Sequence, residues 1–243
     1  MTALEVRGIK KHFDGVAAVD GLSIGVEKGK ITGVVGPNGS GKTTLINLLS
    51  GTLQIDGGVV VIDGVELHKI VPHEISVYGI TRTFQNVRLF EQMTVLDNIL
   101  VVLTERNVFA ALFEKHGAFH LKRSQEMLER VELWEKRHQL AVNLSYGQRK
   151  LLEIARALAM GSEVYLLDEP FAGLFPEMVK IVSGVLQGLR AEGKTVILIE
   201  HDMAIIRNLC DHVFVMDAGK LLAEGKPHEV LERKEVIEAY LGE

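Results

Sequence analysis

Short apolar segments bounded by glycine-containing turns dominate both ends of the chain. Alternation of apolar and polar positions is typical of a half-buried β-strand, and a wholly apolar run indicates a strand that is covered on both faces. The pattern therefore predicts strands at residues 4–7, 22–26, 31–35, 59–62, 64–65, 164–167, 195–199 and 213–216, with turns at Asp14-Gly15 and Asp20-Gly21.

Helical periodicity occupies the middle of the chain and returns between the later strands. It predicts helices at 43–49, 95–103, 124–134, 147–160, 177–191 and 203–209, and a polar helical tail over 227–240. Strands that alternate with helices indicate an α/β fold with a largely parallel sheet. The stretch from 86 to 160 interrupts this alternation, so we expect it to form a helical subdomain of its own.

Composition narrows the class of protein. The chain has 243 residues, of which 47% are hydrophobic and 24% charged, and this usage argues against intrinsic disorder. A net charge of −5 disfavours binding of nucleic acid or anionic lipid by bulk electrostatics. The single cysteine, Cys210, excludes an internal disulfide framework. With no secretory signal pattern and no apolar run near the roughly 20 residues that span a bilayer, we expect a soluble protein of a reducing, intracellular compartment.

A glycine-rich segment lies between the predicted strand at 31–35 and the helix that follows. It matches the pattern G-x-x-x-x-G-K-[ST], in which backbone N–H groups and the helix N-terminus face phosphate oxygens. Lys42 would add a charge for the β- and γ-phosphates, and the Thr43 hydroxyl would ligate Mg²⁺. The predicted nucleotide-binding residues here are Gly36, Pro37, Asn38, Gly39, Ser40, Gly41, Lys42, Thr43 and Thr44. The alternative is an ordinary glycine-rich turn.

Two adjacent carboxylates, Asp168 and Glu169, follow the predicted strand at 164–167. Ligands of open α/β sheets gather at the carboxyl ends of strands. Asp168 is therefore predicted to hold Mg²⁺, directly or through water, and Glu169 to polarise an attacking water molecule. Pro170 favours an extended backbone at Glu169, which would point the two carboxylates in different directions. A strand end with solvated charges is the alternative.

A third segment, N-L-S-Y-G-Q at residues 143–148, precedes the predicted helix at 147–160. Ser145 and Gly147 fall in its first turn, where a small hydroxyl residue and a glycine form a surface for an anion. Alone, the segment is a weak indication, because serine at a helix start is usually only a cap.

The order of these motifs resembles that of ABC-type ATPase domains: the phosphate-binding segment, Gln85, the L-S-x-G-Q segment, the strand with D-E-P, and a strand that ends near His201. The resemblance covers most of the chain. It implies an α/β fold with a P-loop ABC-type ATPase core, a largely parallel sheet, an N-terminal antiparallel β region and an inserted helical subdomain. One domain would span 1–243, with the ATP-binding core at about 1–85 and 161–243 and the helical subdomain at about 86–160.

The resemblance also implies roles for individual residues. Two such domains would pair head to tail around two ATP molecules, so that Ser145, Gly147 and Gln148 of one meet the nucleotide of the other. Phe13 resembles the aromatic residue that stacks on adenine. The implied catalytic residues are Glu169, His201, Gln85 and Lys42, and the implied Mg²⁺ residues are Thr43, Gln85 and Asp168. Without the resemblance, Gln85, His201 and Phe13 would be taken for ordinary surface or core residues.

Two positions depart from the family pattern. Tyr146 replaces the first glycine of the usual L-S-G-G-Q, although the phosphate-facing Ser145 and Gly147 remain. Phe175 stands where many members carry Asp or Asn, which puts a side-chain hydrogen bond across the dimer in doubt.

Longer strings are similar to the ATPases of bacterial branched-chain amino-acid importers. They are R-T-F-Q-N-V-R-L-F at 82–90, M-T-V-L-D-N at 93–98, L-S-Y-G-Q-R-K-L-L-E-I-A-R-A at 144–157 and V-I-E-A-Y-L-G-E at 236–243. Urea importers and lipid-export ATPases share much of this framework and remain alternatives. A non-transport ABC ATPase and a small-molecule kinase are disfavoured, since the chain shows no long coiled-coil insertion, second ATPase domain, basic surface for nucleic acid or acceptor site.

The resemblance implies a peripheral subunit at the cytoplasmic face of a bacterial or archaeal inner membrane. Its partners would be membrane permeases, a second ATPase subunit and, indirectly, a solute-binding protein. Val87, Leu89, Phe90 and Met93 would form an apolar docking groove for a permease helix if they are exposed. Core packing in the helical subdomain is the alternative for each of them. Trp134 and Cys210 are interpreted as packing residues.

Overall fold

The computed structural model describes residues 1–83, 87–103 and 117–241. The strands in these ranges are β1 (Thr2–Phe13), β2 (Val16–Glu27), β3 (Ile31–Val35), β4 (Gly57–Ile62), β5 (Val65–Leu67), β6 (Ile80–Arg82), β7 (Val164–Asp168), β8 (Thr195–Ile199), β9 (His212–Asp217) and β10 (Lys220–Gly225). The α-helices are α1 (Lys42–Leu49), α2 (Val95–Leu103), α3 (Gly117–Arg130), α4 (Tyr146–Ala159), α5 (Pro176–Ala191), α6 (Met203–Leu209), α7 (Pro227–Val230) and α8 (Lys234–Leu241).

A six-stranded sheet with the order β10-β9-β3-β8-β7-β6 carries most of the later strands. All its pairings are parallel except that of β10 with β9. Every residue of β3, β7 and β8 is buried, as the nearly continuous apolar runs predicted. The predicted α/β class with a largely parallel sheet is confirmed.

A second, four-stranded sheet has the order β2-β1-β4-β5, and its described pairings are antiparallel. The predicted turn at Asp14-Gly15 joins β1 to β2, and both residues have positive φ, 44° and 86°. The predicted turn at Asp20-Gly21 is wrong, because these residues lie within β2. There the register with β1 shifts and Gly21 has a φ of 69°, so the glycine forms an irregularity in the strand and does not end it.

The chain divides into two compact units. The first comprises Met1–Arg82, Ser162–Glu169 and Leu186–Glu243, and the second comprises Thr83–Gly161 and Pro170–Val185. In the first unit, residues of both sheets and of α1 share one apolar core, which includes Leu4, Val34, Ile46, Ile80 and Phe214.

The second unit contains α2, α3 and α4, whose buried side chains include Ile99, Leu128 and Leu151. The predicted helix at 124–134 begins earlier, at 117, and ends at Arg130, so its predicted end is wrong. Glu132 adopts a left-handed φ of 57°, and the Leu133 N–H bonds to the Leu128 carbonyl at 2.8 Å. This C-terminal capping stops the helix before Trp134, which begins a 3₁₀ turn instead.

None of the helices in the described part of the chain combines the length and the apolar character that crossing a bilayer requires.

Cys210 is buried after α6, next to β3: a Cβ placed on Gly33 would lie 3.1 Å from its Sγ. Burial, together with the nearby charges of Asp211 and Glu200, raises the pKa of Cys210 to about 12. At pH 8 only about one thiol in 10⁴ is then ionised, against roughly one in four for a free cysteine. We therefore expect iodoacetamide to label the native protein at least about 10³-fold more slowly than the protein unfolded in guanidinium, as followed by intact mass. Equal rates would contradict the packing role.

Candidate functional site

The chain between β3 and α1 forms a loop. At two positions the conformation of this loop can be adopted only by glycine. Gly36 has a φ of 151°, and a Cβ there would lie 2.1 Å from the Met216 carbonyl oxygen. Gly41 has a φ of 100°, and its Cβ would lie 2.4 Å from the Ala18 carbonyl oxygen. Both contacts are with backbone, which cannot move aside as a flexible side chain could. The glycines thus fix the path of the loop that leads into α1.

The Lys42 side chain folds back over this loop. Its Nζ donates to the carbonyl oxygens of Gly36 and Pro37 at 2.8 and 2.9 Å, and lies 3.4 Å from Ser40 Oγ. Burial lowers the pKa of Lys42, while the charges of Glu169 and Asp168 act in the opposite direction. An ammonium group surrounded by neutral carbonyls gains from an added anion, so the loop fits a phosphate group.

Asp168 and Glu169 leave the sheet where β7 ends. Asp168 is buried and pairs with Ile199 of β8, and the Glu169 N–H donates to the Ile199 carbonyl at 3.0 Å. The expected extended backbone at Glu169 is wrong, because its φ is 48°. The chain has to turn sharply after this last sheet hydrogen bond. The left-handed conformation of a non-glycine residue costs about 1–3 kcal/mol, and such strain is concentrated at functional sites.

His201 follows β8 and faces Glu169. Its Nδ1 lies 3.9 Å from Glu169 Oε1 and 3.9 Å from Glu200 Oε2, and its side chain is 66% exposed. Because β3, β8 and β7 are neighbours in the sheet, the glycine loop, His201 and the two strand-end carboxylates gather at one edge. The structure therefore brings together the predicted site residues that end or follow strands of this sheet, namely the loop at 36–44, Asp168, Glu169 and His201.

The donors near this edge suit a small, hard cation. Thr43, in the first turn of α1, offers a hydroxyl oxygen, and Asp168 offers a carboxylate. Within the ranges that the structure describes, no group of three or more His, Cys, Asp or Glu residues is arranged to hold a metal. Mg²⁺ takes six ligands in an octahedron. When phosphate oxygens and water supply most of them, the protein has to supply only one or two.

Phe13, the last residue of β1, is 42% exposed, and Lys11 Nζ lies 5.5 Å from its ring centroid. An accessible aromatic face of this kind can stack on a nucleotide base. Gln85 lies outside the described residues, so its predicted roles stay predictions.

In the second unit, Ser145 begins α4 with a capping box. Its Oγ accepts from the Gln148 N–H at 3.3 Å, and its own N–H donates to Gln148 Oε1 at 3.1 Å. A Cβ on Gly147 would lie 2.2 Å from Met178 Sδ, so a larger residue there would require the flexible Met178 side chain to move. The predicted start of the helix is confirmed. A capping serine is also the ordinary alternative for this motif, and the anion role stays a prediction.

Three residues near the site were missed as functional candidates. Arg82 is a buried guanidinium at the end of β6, and Glu200 is a buried carboxylate beside His201. Burial raises the pKa of the Tyr240 hydroxyl, in α8, to about 12, against a smaller opposite effect of the nearby Gly36 backbone, so the hydroxyl stays neutral. A charge directly after the predicted apolar strand at 195–199 was the available signal for Glu200, whereas the three residues of β6 gave none for Arg82. Nothing local in the sequence connects Tyr240 with the loop.

Taken together, the glycine loop with its lysine and the strand-end carboxylates on a mostly parallel sheet define a nucleoside-triphosphate-binding protein of the P-loop class. A family model described as ABC transporter matches residues 19–172, and a model described as branched-chain amino acid ATP-binding cassette transporter matches residues 220–243. The chain belongs to the ABC transporter family and is an ABC-type ATPase.

Two relatives match along nearly their whole length. BraF, a high-affinity branched-chain amino acid transport ATP-binding protein of Pseudomonas aeruginosa, is 41% identical over 99% of this chain and 98% of its own. LivG of Archaeoglobus fulgidus, a probable branched-chain amino acid transport ATP-binding protein, is 38% identical over 100% of this chain and 96% of its own.

Solved structures agree with the fold. An ATP-binding cassette of an ABC transporter in its ADP conformation is 37% identical and covers 100% of both chains with a TM-score of 0.88. A dimeric ATP-binding cassette in a post-hydrolysis state, bound to ADP and phosphate, is 25% identical over 92% of this chain and 98% of its own, with a TM-score of 0.80.

Proposed function

We propose that this chain binds and hydrolyses ATP to power the import of branched-chain amino acids. The observation that carries the ATPase chemistry is the meeting of Glu169 and His201 at the sheet edge where the Lys42 loop also lies. The solute class is supported by the full-length similarity to BraF and LivG and by the match of residues 220–243.

Binding of the nucleotide begins with the loop and α1. The N–H groups around Gly39 and Gly41 and the positive end of α1 receive the phosphates, and Lys42 Nζ exchanges its carbonyl partners for phosphate oxygens. Phe13 stacks on the base. Thr43 and Asp168 would hold Mg²⁺, with Gln85 as a further ligand. The bound ion would supply positive charge against the charge that develops on the β- and γ-phosphates.

Hydrolysis then depends on Glu169 and His201. Glu169 accepts a proton from the attacking water, and the imidazole of His201 donates a hydrogen bond to the γ-phosphate. The 3.9 Å between His201 Nδ1 and Glu169 Oε1 leaves the two groups near each other without a close hydrogen bond. The strained backbone of Glu169 holds the base at the strand end, beside His201.

The second nucleotide contact comes from a partner ATPase domain. The start of α4, with Ser145, Gly147 and Gln148, offers the Gly147 N–H and the Ser145 hydroxyl to the γ-phosphate held by the partner's loop, while the capping box between Ser145 and Gln148 fixes the turn. Loss of that phosphate weakens the contact, so the two subunits separate after hydrolysis. The dimeric cassette among the similar structures supports this assembly.

Permease subunits are the proposed membrane partners, and the segment after Gln85 is the proposed docking surface. Phe90 and Met93 are exposed, whereas Val87 and Leu89 are half-buried. The Asn98 side chain fixes this segment at Phe90. The Phe90 N–H donates to Asn98 Oδ1 and Asn98 Nδ2 donates to the Phe90 carbonyl, both at 3.0 Å. A fixed, partly exposed apolar surface suits a permease helix. The ATPase would then act at the cytoplasmic face of the membrane, with a solute-binding protein on the opposite face and no nucleic-acid partner.

The solute assignment is tested by uptake in cells of the source organism that lack this gene. Initial uptake of labelled leucine, isoleucine and valine should fall about tenfold or more at low external concentration. The wild-type gene should restore it, whereas Lys42→Ala should not, because the phosphate contacts are lost. Lys234→Ala, at a highly exposed lysine, is the matched control and should restore uptake. Unchanged leucine uptake with a loss of urea uptake would overturn the assignment.

A further inference from the structure

Arg82 is the last residue of β6, and it lies beside the strand that carries the site carboxylates. In the parallel pairing of β6 with β7, Arg82 is opposite Leu166, two residues before Asp168. Its side chain is 8% exposed and that of Asp168 is 4% exposed. A guanidinium cannot lose its charge, so burial at this depth is tolerated only with anionic or strongly polar partners in good geometry.

The guanidinium joins two parts of the site. Arg82 Nη1 donates to Asn47 Oδ1 at 2.6 Å and to Ser50 Oγ at 2.7 Å, both at the C-terminal end of α1. Arg82 Nη2 lies 3.3 Å from Asp168 Oδ2. The Ser50 hydroxyl is itself held by the Asn47 carbonyl at 3.2 Å and by Thr52 Oγ1 at 3.1 Å. The fork is therefore fixed on α1 and directed at one carboxylate oxygen.

This arrangement relates two proposed metal ligands to the same helix. Thr43 stands in the first turn of α1, and Asn47 and Ser50 stand at its other end. A helix is stiff over two turns, so a bond from its end to Asp168 fixes the carboxylate relative to the Thr43 hydroxyl. Partners that orient a metal ligand through a hydrogen bond typically change metal affinity by about 10- to 100-fold when they are removed.

We propose that Arg82 is a positioning residue, which orients the Asp168 carboxylate for Mg²⁺ and thereby sets the metal dependence of nucleotide binding. The proposal rests on the proposed role of Asp168. In this assignment Arg82 acts on the Asp168 carboxylate and not on the nucleotide, through its hydrogen bonds to Asn47, Ser50 and Asp168. Its effect should thus appear only when the metal is present.

The test compares binding of a fluorescent ATP analogue in EDTA and in Mg²⁺, together with Mn²⁺ binding to the protein–ATP complex by electron paramagnetic resonance. For Arg82→Gln we expect ATP affinity in EDTA within about twofold of wild type, and a loss of about tenfold or more in Mn²⁺ affinity and in the gain of ATP affinity with Mg²⁺. Arg82→Lys should restore only part of the Mn²⁺ affinity, since the single ammonium group of lysine cannot bond to both α1 and Asp168. Ser50→Ala, which keeps the Asp168 contact, serves if Arg82→Gln fails to fold, and should lower Mn²⁺ affinity by a smaller factor.

Two controls separate the possible failures. Arg190→Gln removes an exposed ion pair with Asp211 in the same unit and should leave metal affinity unchanged. Asp168→Asn tests the metal ligand itself. If Asp168→Asn leaves Mn²⁺ affinity unchanged, the metal assignment in the proposed function fails. If Asp168→Asn weakens Mn²⁺ binding and the Arg82 and Ser50 variants do not, or if those variants weaken binding equally in EDTA, the positioning role alone is overturned.

Discussion

Glu169→Gln is expected to lower the rate of ATP hydrolysis by about 10²- to 10⁴-fold while ATP binding stays within a few-fold of wild type. The amide keeps the size of the side chain but cannot accept the proton of the attacking water. Rapid quench of a single turnover measures the chemical step, and a fluorescent ATP analogue measures binding. Since the γ-phosphate is retained, the variant should also accumulate as a dimer in ATP on size-exclusion chromatography.

The matched control for this variant is Glu163→Gln. Glu163 is also an acidic residue at an end of β7, but its carboxylate is half-exposed and pairs with Lys194. An exposed pair of this kind contributes little, so hydrolysis should stay within about twofold of wild type. Full hydrolytic activity in Glu169→Gln would remove Glu169 from its assigned role and would leave His201 as the next candidate for the base.

Gly36→Ala is expected to abolish detectable ATP binding and to destabilise the fold by about 3 kcal/mol or more. A methyl group at 2.1 Å from the Met216 carbonyl forces the loop or the end of β9 to move, and the φ of 151° is accessible essentially only to glycine. The two carbonyl acceptors of Lys42 would move with the loop. Urea unfolding gives the loss of stability, and titration calorimetry gives the loss of binding.

Gly64→Ala is the control for Gly36→Ala, because it introduces backbone strain without steric overlap. Gly64 also has a positive φ, 82°, but no atom lies within 4 Å of a Cβ built there. Only the conformational cost of about 1 kcal/mol should appear, and ATP binding should be unchanged. Wild-type ATP affinity in Gly36→Ala would show that the loop tolerates another path.

Much of the fold could be predicted because its signals are local. Buried parallel strands have continuous apolar runs, so β3, β7 and β8 were found close to their observed ends. The short β6 was missed, because three residues give no periodicity. The end of α3 was missed too, since the left-handed residue that stops it is a glutamate and not the glycine that usually marks such an end.

The candidate site likewise has features that the local sequence predicts and features that depend on contacts between distant segments. The loop from Gly36 to Thr43 could be predicted because its conformation demands particular residues at fixed spacing. The contact of Arg82 with Asn47 and Asp168 could not, since it joins three elements that are distant in sequence. The left-handed backbone of Glu169 went against the preference that Pro170 imposes, which is a case of a functional turn overriding a local rule.

The position of β3 in its sheet has a consequence for the order of events during synthesis. The strand that carries the glycine loop ends at Val35, yet its neighbours are β8, which begins at Thr195, and β9, which begins at His212. During synthesis from the N-terminus to the C-terminus, this buried, largely apolar strand stays without its native neighbours until β8 and β9 have also been synthesised. An unpaired, largely apolar strand is prone to aggregate, so β3 is a natural site for chaperone binding during this interval. The nucleotide loop, whose path depends on Met216, therefore reaches its final conformation only after β9 has been synthesised.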